Sequence, residues 1–135
     1  MSYKIEAIEG IGSANAQKLA SAGIDSTAAL LRLCRTGKAR KQIAEKTGVS
    51  ESKLLKWANL ADLMRISGIG GEFSELLEAA GVDTVKELRT RNVENLAAKL
   101  TAVNAEKKLT RIVPSAKTIR KWVDRAAQLK PLISH

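Results

Sequence analysis

The chain has 135 residues, 44% hydrophobic but only 3% aromatic. Ala and Leu supply most of the apolar mass, which favours helices over strands and suffices for one domain or two very small ones. No apolar run approaches the roughly 20 residues that cross a bilayer, one cysteine excludes an internal disulfide, one histidine leaves no zinc set, and a net charge of +9 points to a polyanion.

Ile5 and Ile8 predict a short first helix that ends at Gly10-Ile11-Gly12. Ser13 can cap the next helix, where Ala16, Leu19 and Ala20 keep helical spacing and Gly23 supplies the stop. Asp25 or Ser26 caps a third helix that runs toward Cys34, and Thr36-Gly37 breaks it. Cys34 lies among leucines and reads as a small buried hydrophobe. A basic helix follows from about Lys38 to Lys46 and ends near Gly48. Ser50 opens a helix with Leu54, Leu55, Ala58 and Ala61 on its apolar face. No stop precedes Ser67, so residues 51–66 are expected to form one continuous helix.

The same plan then returns. A helix from about Gly71 to Ala80 stops at Gly81, and Asp83 caps a helix through Leu88. Leu96 and Leu100 mark another helix. Pro114-Ser115 opens the last, which ends before Pro131. His135, at the end of the sequence, is expected to be disordered. Ile8-Glu9-Gly10-Ile11-Gly12 returns as Ile66-Ser67-Gly68-Ile69-Gly70, an offset of 66 − 8 = 58. Leu19, Ala22, Gly23, Ile24, Asp25 and Leu30 fall on Leu77, Ala80, Gly81, Val82, Asp83 and Leu88 at the same offset. Lys56-Trp57 and Ser50 match Lys121-Trp122 and Ser115 at an offset of 65, which implies seven extra residues between Leu88 and Ser115. The two tryptophans read as equivalent core anchors, with base stacking as the sharper alternative. The units are 1–62 and 63–135, sharing the connecting helix and expected to pack as one domain; they carry net charges of +4 and +5, so no single block explains the basic excess.

In each repeated turn two glycines permit positive φ and close approach, the isoleucine between them plugs the gap between helices, and a small residue (Ala16 or Ser74) lets those helices pack closely. Backbone N–H groups at the start of the next helix then point outward, where they can hold a phosphate oxygen. These residues resemble the helix-hairpin-helix motif, a sequence-independent DNA-binding turn of repair and recombination proteins. The resemblance implies backbone phosphate contacts around Gly10, Ile11, Gly12 and Ser13, and around Gly68, Ile69, Gly70 and Gly71. From Ile8 to about Leu129 the chain is also similar to the domain-of-unknown-function 4332 family, through Lys56–Ile66, Leu76–Thr84 and Val103–Leu109. That family in turn resembles tandem helix-hairpin-helix units, and no activity is established for it. The expected fold is therefore all-α, a compact helical bundle of two tandem helix-hairpin-helix (SAM-like) repeats sharing a connecting helix.

DNA-binding copies of the motif often carry Lys or Arg two residues after the second glycine, where this chain has Ala14 and Glu72. Glu72, Glu75 and Glu78 make the second hairpin helix acidic, and carboxylates repel phosphate. The first turn, with Lys18 nearby, is the better phosphate site; the second is structural or faces a basic protein. Arg35, Lys38, Arg40, Lys41 and Lys46 form the next basic group, read equally as a solvated face or a nucleic-acid contact. Lys107, Lys108, Arg111, Lys117, Arg120 and Lys121 form another. The expected function is a non-catalytic, sequence-independent nucleic-acid module, for DNA more than RNA, in a cytoplasmic protein. The alternative is a protein-interaction adaptor on the same scaffold, with an acidic protein as partner. No cofactor, metal, membrane or small-molecule substrate is expected. An enzyme is not expected, because no nucleophile set, metal cluster or Walker loop is present, and no strand precedes Gly10-Ile11-Gly12 to complete a dinucleotide fingerprint.

Overall fold

The computed structural model describes residues 2–135. Among them are eight α-helices: α1 Gly12–Ser21, α2 Thr27–Leu33, α3 Gly37–Thr47, α4 Glu51–Leu63, α5 Gly71–Ala79, α6 Val85–Leu88, α7 Val93–Lys107 and α8 Ala116–Gln128. Among the described residues no strand forms, and Lys4 and Ser26 make an isolated antiparallel bridge.

The helices run as two successions of four in the same order. In the first, α2 and α3 pack on α4 and α1 packs on α3; in the second, α6 and α7 pack on α8 and α5 packs on α7. The seven extra residues sit late in the second succession. Helix α7 has 15 residues against 11 in α3. Residues 108–115 then separate it from α8, where residues 48–50 do the same for α3 and α4. Asn104 pins this longer loop, donating to the Thr110 carbonyl and accepting from its N–H, both at 2.9 Å.

Two apolar clusters divide the interior. One joins Ile5, Leu19, Leu30 and Leu54 with Trp57; the other joins Leu77, Val85, Leu96 and Ile119 with Trp122. Helix α4 serves both, giving Leu60 and Ala61 to the first and Leu63 to the second. It also packs on α5 across the junction. The tryptophans are only 4% and 3% exposed, which makes both of them core anchors with no free face for base stacking. Cys34 is fully buried, and desolvation raises its thiol pKa to about 11, with the Arg40 charge opposing.

Several boundaries differ from expectation. The opening element is a single 3-10 turn, Ile5–Ala7, because Ile8 is already extended. Helix α4 stops at Leu63, and bonds from Arg65 N–H to Asp62 and from Ile66 N–H to Leu63 tighten the chain into the second glycine turn. Thr84 rather than Asp83 caps α6, and Ser26 caps α2. His135, expected to be disordered, lies with Nε2 at 3.2 Å from Asn59 Oδ1. The segment before it crosses the junction. Arg65 Nη1 donates to the Lys130 carbonyl at 2.9 Å, Ser134 N–H donates to the Arg35 carbonyl at 2.9 Å, and Leu132 and Ile133 pack on the first core.

The two successions start their second helix by different chemistry. The N–H of Thr27, first in α2, donates to the Tyr3 carbonyl at 2.9 Å. At the offset of 58 Tyr3 falls on Ala61, which lies inside α4. In the second unit the N–H of Val85, first in α6, donates instead to Asp62 Oδ2 at 2.9 Å. Asp62 is 1% exposed and also receives Arg65 Nη1 at 2.8 Å.

Candidate nucleic-acid interface

The first glycine turn is open to solvent. Gly10 and Gly12 hold φ of +80° and +74°, and a Cβ added at either would meet nothing within 4 Å. Gly10, Gly12, Ser13 and Lys18 are exposed, while Ile11 is buried as the plug between helices. Helix α1 begins at Gly12 itself, one residue before the expected Ser13 cap, and has no side-chain cap. Six other helices are capped by Ser26, Thr36, Ser50, Thr84, Asn92 and Ser115. Helix α1 thus meets solvent with its terminal N–H groups uncovered by any side chain of the cap residue.

The second turn is not its equal. Gly68 keeps a positive φ of +93°, but Gly70 is extended at φ −96°, so α5 starts one residue later relative to the repeat. Gly68 lies against Trp122, where an added Cβ would stand 3.4 Å from Nε1. Trp122 in turn packs on Phe73 with ring centroids 5.4 Å apart. Gly71 is pressed onto the first unit: a Cβ there would collide with the Ala7 carbonyl oxygen and reach the Glu9 side chain at 3.4 Å. Ile69 is fully buried. Protein atoms and a carboxylate therefore lie against Gly68 and Gly71, while Gly70 faces open space, at the turn where the helix-hairpin-helix resemblance implies phosphate contacts around Gly68, Ile69, Gly70 and Gly71.

Burial raises the Glu75 pKa, as do the charges of Glu9, Glu78 and Glu72, while Lys56 acts in the opposite direction. The folded protein thus holds this proton more tightly than the unfolded chain. Glu75 favours folding at acid pH, and that contribution is lost as pH rises through its folded value. Glu75→Gln is expected to raise the melting midpoint at pH 7 by on the order of 1 °C, with the difference vanishing below about pH 4. Melting curves of both forms across that range check it; a lower midpoint for the variant at pH 7 contradicts it.

The basic group on α3 divides. Lys38 and Lys41 are exposed, and Arg35 is exposed just before the helix. Arg40 is only 4% exposed and is a correction to the sequence reading. Its Nη1 donates to the carbonyls of Cys34 and Arg35 at 3.0 and 3.2 Å, and its Nη2 to that of Ser134 at 2.7 Å. These carbonyls take up the guanidinium and leave it unable to reach a phosphate. Packing of α1 on α3 places the first turn and the α3 lysines on neighbouring elements. The later group, Lys107, Lys108, Arg111, Lys117, Arg120 and Lys121, is exposed on α7, the long loop and α8. Arg120 is paired there with Glu94 at 3.3 Å.

Among the described residues no group of three or more His, Cys, Asp or Glu could hold a metal ion, and no helix is long and apolar enough to cross a membrane. The arginines that the sequence did not connect are Arg32, Arg65 and Arg125, which meet Arg35 at one cleft.

Residues 9–129 match the model of a family described as a domain of unknown function (DUF4332), and the chain belongs to that family. No curated protein matches the chain, and no solved structure does.

Proposed function

We propose that each succession of helices is a helix-hairpin-helix unit of SAM-like type, and that the protein is a non-catalytic module gripping nucleic-acid backbones without reading sequence. DNA is the preferred ligand. The observation that carries this reading is the open first turn, with its exposed glycines and uncapped helix start, in a chain of net charge +9. Outward N–H groups of Gly12 and Ser13 would take one phosphate, Lys18 would add its charge, and Lys38 and Lys41 would extend the contact. The second turn, packed against Ala7 and Glu9, serves to join the units.

Binding of this kind is driven by counterion release. With about four phosphates engaged, affinity for a short duplex falls roughly a hundredfold between about 50 and 200 mM salt. Fluorescence-anisotropy titrations of duplex and single-stranded DNA and RNA at both salt concentrations test it. No binding at the lower salt sinks the reading. The acidic group of Glu9, Glu72, Glu75 and Glu78 at the junction favours the alternative, an adaptor for another protein. Its mark would be a complex that survives high salt.

A further inference from the structure

Four arginines from three separate stretches of the sequence line one cleft of about 410 Å³ at the junction of the two units. Arg32 comes from α2, Arg35 from the turn after it, Arg65 from the end of α4 and Arg125 from α8. Leu31, Leu129 and Leu132 supply apolar wall, and no carboxylate lines the space. Arg65 is paired with Asp62, whose other oxygen is taken by Val85 N–H. Arg125 Nη1 donates to the neutral amide oxygen of Gln128 at 3.0 Å. Four guanidinium charges against the one Asp62 carboxylate leave 4 − 1 = +3.

We propose that this cleft is a binding site for a phosphomonoester carried on a flat, partly apolar group, the chemistry of a mononucleotide. The volume suits a ligand of that size. Guanidinium forks pair bidentately with phosphate oxygens and also stack on planar rings, which a lysine cluster would not do. A phosphomonoester dianion brings the local charge to within one of neutrality and relieves the repulsion among the arginines. The walls are held in place from behind. Arg40 and Ser134 bind the Arg35 carbonyl, and Lys130 receives Arg65, so the C-terminal segment closes the site across both units. The same chemistry has two sources, a free mononucleotide or the 5′-phosphorylated end of a strand. The site does not depend on the first glycine turn.

Thermal-shift and calorimetric titrations of the full chain with AMP, adenosine and sulfate, at constant ionic strength, test the proposal. AMP is expected to bind saturably and raise the melting midpoint, with adenosine and sulfate at least tenfold weaker. In Arg32→Gln/Arg125→Gln the unliganded midpoint is expected to stay equal or rise, while AMP affinity falls at least tenfold. Ser13→Glu is expected to leave AMP binding unchanged, which separates this site from the glycine turn. A 5′-phosphorylated pentanucleotide binding over tenfold tighter than both its 5′-hydroxyl form and AMP would identify a strand end. Equal affinity of AMP and the phosphorylated strand would identify the free nucleotide. The proposal is overturned if AMP acts no differently from sulfate, or if the folded double variant keeps its AMP affinity.

Discussion

Asp62→Ala is expected to destabilise the protein by about 3 kcal/mol, the lower end for breaking a buried charge pair, and to lower its melting midpoint by roughly 10 °C. The side chain is 1% exposed and does two things at once. It receives Arg65, and it satisfies the first N–H of α6, a helix of four residues with little stability of its own. Truncation leaves that N–H unpaired inside the protein and releases Arg65, whose other bond ties down Lys130. Asp62→Asn keeps an oxygen for the Val85 N–H but loses the negative charge that faces Arg65, so its effect should be intermediate. Chemical denaturation of the three forms checks the order. A change under about 1 kcal/mol in Asp62→Ala would show that Asp62 does not hold α6 in place.

Gly71→Ala should also be costly, by about 1–3 kcal/mol, the usual range for overpacking. The added methyl would run into the Ala7 carbonyl oxygen, a backbone atom unable to swing away, with Glu9 beside it. Gly70→Ala makes a sharp control. Gly70 has an ordinary negative φ of −96° and open space where a Cβ would go. Its replacement should change stability by less than about 0.5 kcal/mol. Denaturation midpoints of the two variants measure the difference directly. Equal losses would mean that the α5 start is not seated on the first unit.

Much of the fold was legible because the chain repeats. The offset of 58 carried α1 onto α5 and α2 onto α6, and the offset of 65 carried α4 onto α8 with the same length. The family match agrees with the resemblance seen in the residues. The repeat misled where tertiary contacts broke its symmetry. Gly12 and Gly70 occupy equivalent positions, yet only Gly12 has positive φ, because Gly71 must pack against Ala7. No local pattern announces a contact between residues this far apart.

Charge was legible only as a sum. Arg40 sits in a basic run that reads equally as a solvated face or a nucleic-acid contact, but three backbone carbonyls, one of them 94 residues away, take up its guanidinium. Arg32, Arg65 and Arg125 are scattered through the sequence, and only the packing of α2, α4 and α8 makes them neighbours at the cleft. Asp62 lies one residue before the end of α4, and nothing local in the sequence marks it as buried. Its burial beside α6 reflects how the second unit replaces the contact that Tyr3 makes in the first.

On the proposed reading the first glycine turn grips phosphate and the second does not. The direct measurement is duplex-DNA affinity at low salt for Ser13→Glu and Ser67→Glu, with folding checked by circular dichroism. Both positions are exposed, and a glutamate early in α1 suits the helix dipole. At least a tenfold loss of affinity is expected in Ser13→Glu and less than a twofold change in Ser67→Glu. Equal losses in the two, or full affinity in Ser13→Glu, would contradict that reading.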